Sequence, residues 1–246
     1  MLAFRLARVG VHLVSGLLTS ALVFPWVSSD RRSRHVRRWS SGLVAICGVR
    51  VELVSLGAEV PLSRALIVAN HVSWLDIFVI NSLHPSRFVA KSDIRDWPLL
   101  GWLCDKAGTI FISRGRVRDV RRIFENLVSS LEQGEHVAFF PEGTTSAQGK
   151  VLPFHANLFE AAIDANVPLQ PFALRYVDAE GNLHAGADFI GETTFVESML
   201  TILRAPPMIA QLILLPAIAS DKLHRRELAV AAHAAISGAL QDLSGR

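Results

Sequence analysis

Beyond Arg50 the chain breaks into short apolar runs, and this punctuation constrains its fold more than any other feature. Seven runs, Val51–Val54, Ala65–Ala69, Arg87–Ala90, Thr109–Ile112, Val137–Phe140, Leu169–Leu174 and Ile209–Leu214, are bounded by Gly, Pro, Asn or Asp and are predicted as strands. Stretches with helical spacing separate them. The clearest is Val117–Leu131, where Val120, Ile123, Phe124, Leu127, Val128 and Leu131 share one stripe and Arg118, Arg121, Arg122 and Glu125 face away. Further helices are predicted over Val72–Leu83, Phe154–Ala165 and, after a Ser220–Asp221 cap, Leu223–Leu243. Alternation of this kind predicts an α/β domain, with a mainly parallel sheet covered by helices on both faces. No internal repeat or low-complexity linker is legible. The predicted division is an N-terminal arm, residues 1–48, and one domain, residues 49–246.

The arm has its own character. Val9–Val27 carries no charge over 19 residues, with Arg5 and Arg8 before it and Arg31, Arg32, Arg34, Arg37 and Arg38 after it. An Arg-rich sequel opposes export, so a cleaved signal peptide is rejected. His12, the hydroxyl residues and Pro25 weaken a full span, and basic flanks suit a helix lying in an anionic leaflet. The expectation is therefore an interfacial or re-entrant anchor ahead of a single pass, with its positive flank on the cytoplasmic side. Residues 1–40 hold seven Arg against one Asp, whereas the other 206 residues carry 18 basic and 21 acidic side chains. A mildly acidic body of this kind argues against a nucleic-acid partner. Half the residues are apolar and the mean hydropathy is +0.34, which makes a membrane surface the leading partner. Cys47 and Cys104 form no metal or disulfide pattern, and the nine His include no HExxH, so no metal is expected.

GxSxG, GxGxxG and Walker A signatures are all absent. Three strand ends nevertheless carry chemistry. Asn70-His71-Val72-Ser73-Trp74-Leu75-Asp76 follows the run ALIVA, which puts His71 at the carboxyl end of a strand, where open α/β sheets place their crevice. Asp76, expected more than a turn along the next helix, can reach back to Nδ1 of His71 and leave Nε2 as a general base. Phe140-Pro141-Glu142-Gly143-Thr144-Thr145-Ser146 is a second strand-to-turn junction, where the Gly143 N–H is expected to face an anionic oxygen, with Glu142 near the same crevice. Arg114, after Thr109–Ile112, is placed for bidentate phosphate recognition.

Together these blocks closely resemble the membrane-bound glycerolipid acyltransferases typified by 1-acylglycerol-3-phosphate acyltransferase. The resemblance runs from about Val51 to Ser220 through NHVSWLD at 70–76, the stretch from Lys91 through PLLGW to FISRGR ending at Arg116, FPEGTTS at 140–146 and VPLQPFAL at 167–174. It implies acyl transfer from acyl-CoA or acyl-carrier protein to a lysolipid hydroxyl, with 1-acyl-sn-glycerol-3-phosphate, giving phosphatidic acid, as the first expected acceptor and lyso-ornithine lipid as the alternative. His71 is then the base, Asp76 its support and Arg114 the phosphate ligand, with Lys91 as a second cation and Glu142, Gly143, Thr144 and Thr145 shaping the acceptor site. No cofactor is implied beyond the thioester co-substrate, and an N-terminal helical pair embedded in one leaflet belongs to part of the family. Two departures bear on the acceptor: Thr145 stands where the third block usually has Arg, and Ser113 where the second often has Asp. The Thr-Thr form is similar to a branch acylating lyso-ornithine lipid. Rival readings are a membrane-bound thioesterase or esterase using the same dyad with water, and a silent lipid-binding protein.

Overall fold

The structure, a computed structural model, describes residues 2–57, 64–96, 100–112 and 117–244. It opens with a helical hairpin: α1 (Leu2–Leu22), a short 3-10 turn at Phe24–Trp26 that contains Pro25, and α2 (Ser29–Ile46). The Arg-rich segment read as a flank is therefore itself the first half of a helix. The two helices close tightly at Gly16, where a Cβ would lie 2.6 Å from Trp39 Nε1. His12 and Trp39 lock the hairpin reciprocally: the Trp39 indole donates to the His12 carbonyl at 2.9 Å, and the His12 ring lies 4.7 Å from the Trp39 ring in a stack.

The body then alternates as predicted: β1 (Val49–Ser55), β2 (Leu66–Ala69), α3 (Asp76–Leu83), β3 (Arg87–Lys91), α4 (Leu100–Lys106), β4 (Ile110–Ile112), α5 (Val117–Glu132), β5 (Val137–Phe139), α6 (Glu160–Asp164), β6 (Leu169–Val177), α7 (Phe195–Arg204), β7 (Met208–Leu214) and α8 (Arg225–Ser244). The strands form one sheet in the order β1-β7-β6-β2-β5-β3-β4. Every neighbouring pair is parallel except β6–β7, so β1 and β7 run against the other five. Alternate residues of β2 feed two cores. Ile67 and Ala69 join the side covered by α2, α3 and α7, while Leu66 and Val68 join the side covered by α5, α6 and α8. That double burial is why the strand reads as an unbroken apolar run.

The departures from expectation are local and have visible causes. The helix predicted from Val72 starts only at Asp76, because the Asp76 carboxylate folds back and accepts the N–H groups of Val72 (2.7 Å) and Ser73 (2.9 Å), holding residues 71–75 in a turn. The helix predicted from Phe154 is delayed to a 3-10 turn at Ala156–Phe159 followed by α6, because the His155 N–H is tied to the Pro141 carbonyl at 2.9 Å. At the last helix, Ser220 donates to the Ala162 carbonyl instead of capping, and Glu227 accepts the His224 N–H. Helices α4 and α7 were not foreseen, although the Thr194/Glu197 capping box of α7 is written in the sequence. Aromatic contacts join the hairpin to the turn after β2: Trp39 lies 5.8 Å from Phe78, and Phe78 lies 6.0 Å from Trp74.

Candidate active site

β2 stops at Ala69, and Asn70 continues its ladder with a side chain. Its Nδ2 donates to the Leu174 carbonyl at 2.9 Å, and its Oδ1 accepts the Leu174 N–H at 2.8 Å. With the amide doing the work of a peptide group, the main chain turns off the sheet and delivers His71 to the carboxyl edge. There His71 Nδ1 lies 2.8 Å from Asp76 Oδ2. Asp76 is fully buried, and its carboxylate takes three donors on Oδ2, from His71, Val72 and Ser73, and one on Oδ1, from the Tyr176 hydroxyl at 2.7 Å. Burial, reinforced by that carboxylate, pushes the Tyr176 phenol well above the ordinary tyrosine range, so it keeps its proton and donates. An acceptor at Nδ1 fixes the proton there and leaves the lone pair on Nε2. Phe140 stacks on the imidazole at 3.9 Å and 6°, with Phe88 5.5 Å behind Phe140. The face is covered, and the Nε2 edge is the reactive one.

The third block also meets this turn, in a way the sequence did not suggest. Glu142, 3% exposed, accepts the His71 N–H on Oε1 and the Leu152 N–H on Oε2, both at 2.8 Å. Ser146 donates its N–H to the His71 carbonyl at 2.8 Å. Both peptide groups of His71 are thus held from the loop after β5. The expectation that Gly143 offers its N–H to an anion is corrected, because that N–H donates to the Phe140 carbonyl at 3.1 Å. What Gly143 supplies is a φ of +68° and space, since a Cβ would meet His155 at 3.2 Å. Thr144 is exposed at the same turn. The Thr145 hydroxyl donates to the Phe189 carbonyl, and the Phe189 N–H donates to the Val72 carbonyl at 3.1 Å, lacing residue 189 onto the turn.

Lys91 ends β3 with its side chain exposed, on the same carboxyl edge as His71. Arg114 lies outside the described residues. Among the described residues, no group of three or more His, Cys, Asp or Glu is gathered to hold a metal ion. The residues missed in the sequence are Asn70 as a ladder splice and Tyr176 as a donor to Asp76. The available signal for the second was that Tyr176 is the chain's single tyrosine.

A strand-end His–Asp pair at the carboxyl edge of a mostly parallel α/β sheet, with a helical hairpin whose first helix is apolar beside it, is the arrangement of an acyltransferase domain. A family model described as Acyltransferase matches residues 54–175. Lyso-ornithine lipid O-acyltransferase of Pseudomonas aeruginosa is 39% identical over 209 residues, covering 85% of this chain and 79% of that protein. The 1-acyl-sn-glycerol-3-phosphate acyltransferase of Neisseria meningitidis serogroup B is 41% identical over 152 residues, covering 62% of this chain and 59% of that protein. The crystal structure of the 1-acyl-sn-glycerophosphate acyltransferase from Thermotoga maritima superposes with a TM-score of 0.72 at 21% identity, covering 100% of this chain and 95% of that one. The chain belongs to the acyltransferase family and is an O-acyltransferase.

Proposed function

We propose that this enzyme moves a fatty acyl group from acyl-CoA or acyl-carrier protein to the hydroxyl of a lysolipid, with His71 as general base. The observation that carries the reading is the Nδ1 bond to Asp76, which leaves Nε2 to take the hydroxyl proton. The acceptor oxygen attacks the thioester carbonyl, a C–O bond forms, the C–S bond breaks, and the imidazolium returns its proton to the departing thiolate. No cofactor takes part in this sequence. A cavity of about 350 Å³ between hairpin and sheet, lined by Trp39, Phe78, Phe88, Ala90, Ile94 and Leu103, supports an acyl-chain substrate. Phe88 reaches it from the same stack that backs His71. Release of free fatty acid at the same rate with and without lysolipid would instead identify a thioesterase.

The acceptor class is a lysolipid, and its head group is read from residue 145. Arg at that position would bring a fixed cation to the mouth, whereas Thr145 brings none and commits its hydroxyl to Phe189. Relatives matched over most of their length support the same reading: besides the Pseudomonas protein, the lyso-ornithine lipid O-acyltransferase of Rhodobacter capsulatus is 30% identical across 99% of this chain and 91% of that protein. We therefore place lyso-ornithine lipid first, reversing the order expected from the resemblance alone. Lysophosphatidate, 1-acyl-sn-glycerol-3-phosphate, is the second reading, favoured by Arg114 and Lys91 as phosphate ligands and by the Neisseria relative. Offered both lysolipids, wild type is expected to show the higher kcat/KM with lyso-ornithine lipid, and Thr145→Arg to move the ratio toward lysophosphatidate by about 10-fold, the size of one charge-assisted contact. A wild-type preference for lysophosphatidate would reverse the order.

Membrane association rests on α1, which is long and apolar enough to cross a bilayer yet largely unburied. Phe4, Val11, Val14, Leu18 and Leu22 form one exposed stripe that continues to Trp26, 85% exposed. The opposite side of α1 packs on α2, α4 and α7, and Arg5 donates to the Leu203 carbonyl at 2.8 Å. A helix held against the body in this way favours embedding in one leaflet over spanning, and the exposed Arg residues of α2 favour the cytoplasmic face of the inner membrane. Deleting residues 1–40 is a poor probe, because Leu43, Val44 and Ile46 of α2 belong to the core and two thirds of that helix would be lost. The double variant Val11→Asp/Leu18→Asp is expected to lower membrane partitioning by about 10²-fold or more, at roughly 1.5–3 kcal/mol per buried side chain, while micellar substrate is still turned over. Vesicle co-sedimentation equal to wild type would place the anchor elsewhere.

A further inference from the structure

We infer that Tyr176 is a positioning residue of the acyl-transfer reaction, setting through Asp76 both the orientation and the proton affinity of His71. This rests on the dyad reading above and goes one residue beyond it. Asp76 Oδ2 is occupied by the imidazole and two backbone N–H groups, so the carboxylate plane is decided by what holds Oδ1. That partner is the Tyr176 hydroxyl at 2.7 Å, reaching in from β6, 100 residues away in sequence. Tyr176 and Asp76 are both 0% exposed, so the bond is out of reach of bulk solvent.

Tyr176 is itself aimed by its surroundings. Its N–H donates to Gln148 Oε1 at 2.6 Å, and its carbonyl accepts the His184 N–H at 2.9 Å, while Gln148 Nε2 donates to the His184 carbonyl at 3.0 Å. Gln148 lies two residues beyond Ser146, whose N–H holds the His71 carbonyl. One short segment after β5 therefore aims the base directly, through Glu142 and Ser146, and indirectly, through Gln148 and Tyr176. A residue needed only to fill the core could be phenylalanine. The hydroxyl adds a donor to the anionic form of the dyad.

The sign of its effect follows from charge. A donor to Asp76 stabilises the state in which the carboxylate is ionised and His71 is neutral more than the state in which His71 is protonated, so it lowers the proton affinity of the pair. Among the described residues, the titratable groups near these two include Glu142, bound to the His71 N–H, Cys47 at the end of α2, and His184, whose backbone N–H holds the Tyr176 carbonyl. Burial pushes the Cys47 thiol up to about 12, so it stays neutral across an enzymatic pH range. Losing the hydroxyl removes that donor and should move the acidic limb of the pH profile upward.

The test measures kcat/KM against pH, together with thermal unfolding, for the full chain in lipid–detergent micelles as wild type, Tyr176→Phe and His71→Ala. Tyr176→Phe is expected to turn over about 10-fold more slowly at neutral pH with little change in acceptor KM, and its acidic limb is expected to move up by roughly half a unit to one unit. An acidic limb identical to wild type, whatever happens to the melting temperature, would make Tyr176 a packing residue and overturn the inference. Full activity in His71→Ala would instead overturn the dyad on which it rests. Because Tyr176 is the single tyrosine, wild type and Asp76→Asn labelled with ¹³Cζ-tyrosine give a readout independent of turnover and of whether Tyr176→Phe folds. The phenol is expected to titrate at lower pH in Asp76→Asn than in wild type, and coincident titrations would overturn the proposal.

Discussion

Replacing His71 by alanine is expected to lower acyl transfer by at least about 10²-fold and to leave the fold intact, since a positioned general base contributes about 10²–10⁴-fold. The architecture makes this a clean experiment. The turn is held by the peptide groups of residue 71, through Glu142 and Ser146, and those bonds survive loss of the imidazole. The side chain itself is 18% exposed and stacks on Phe140, so its removal opens space at the crevice rather than in the core. Asp76→Asn is not equivalent. Asp76 accepts on both oxygens: an amide turned one way sets its NH₂ against the three donors on Oδ2, and turned the other way it donates to Tyr176 and leaves the phenol's own proton without its buried acceptor. That variant should lose both turnover and melting temperature. Steady-state rates with thermal unfolding would separate the two, and a well-folded His71→Ala at wild-type rate would remove the base mechanism.

Glu142→Ala carries the other large expected effect, and it distinguishes two roles for the same side chain. If the carboxylate bound acceptor, its loss would raise KM and spare the fold. The structure engages both oxygens with backbone N–H groups, so alanine strands two donors in a buried place, each costing about 1–3 kcal/mol. The expected result is a drop of about 2–6 kcal/mol in stability, together with turnover slowed by about 10-fold or more, because the His71 N–H loses its tether. Glu142→Gln should recover part of the loss, since one oxygen remains while its NH₂ opposes the second N–H. A variant with wild-type melting and a raised acceptor KM would return Glu142 to the binding role the family resemblance implied.

The elements were legible wherever their signal was local. All seven strands stand where apolar runs between turn residues placed them, within three residues at every end, because side-chain period and Gly, Pro, Asn or Asp punctuation are short-range properties. The amphipathic stripe of α5 was equally plain, and Leu127 and Leu131 are fully buried. Errors fell where a specific hydrogen-bond partner, local or distant, overrode propensity. Val72–Leu75 has helical spacing, but a carboxylate from Asp76 takes the N–H groups a helix would leave open. Phe154–His155 was drawn out of its helix by the Pro141 carbonyl. The His–Asp pair could be placed from sequence because its members are five residues apart, and its immediate bond is local.

By itself, then, the sequence determined an α/β body, a basic and apolar arm, and a histidine at a strand end with a carboxylate in reach. Strand order was decided only in three dimensions. Placing β5 beside β2 brings Glu142 and Ser146 to His71, and placing β6 on the other side of β2 brings Tyr176 to Asp76. These contacts join residues 71 and 100 positions apart, and neither end carries a mark of its partner. Composition and periodicity report which face of an element is buried. Which donor a buried oxygen receives depends on the neighbour that packing selects, and burial then obliges the polar groups to pair.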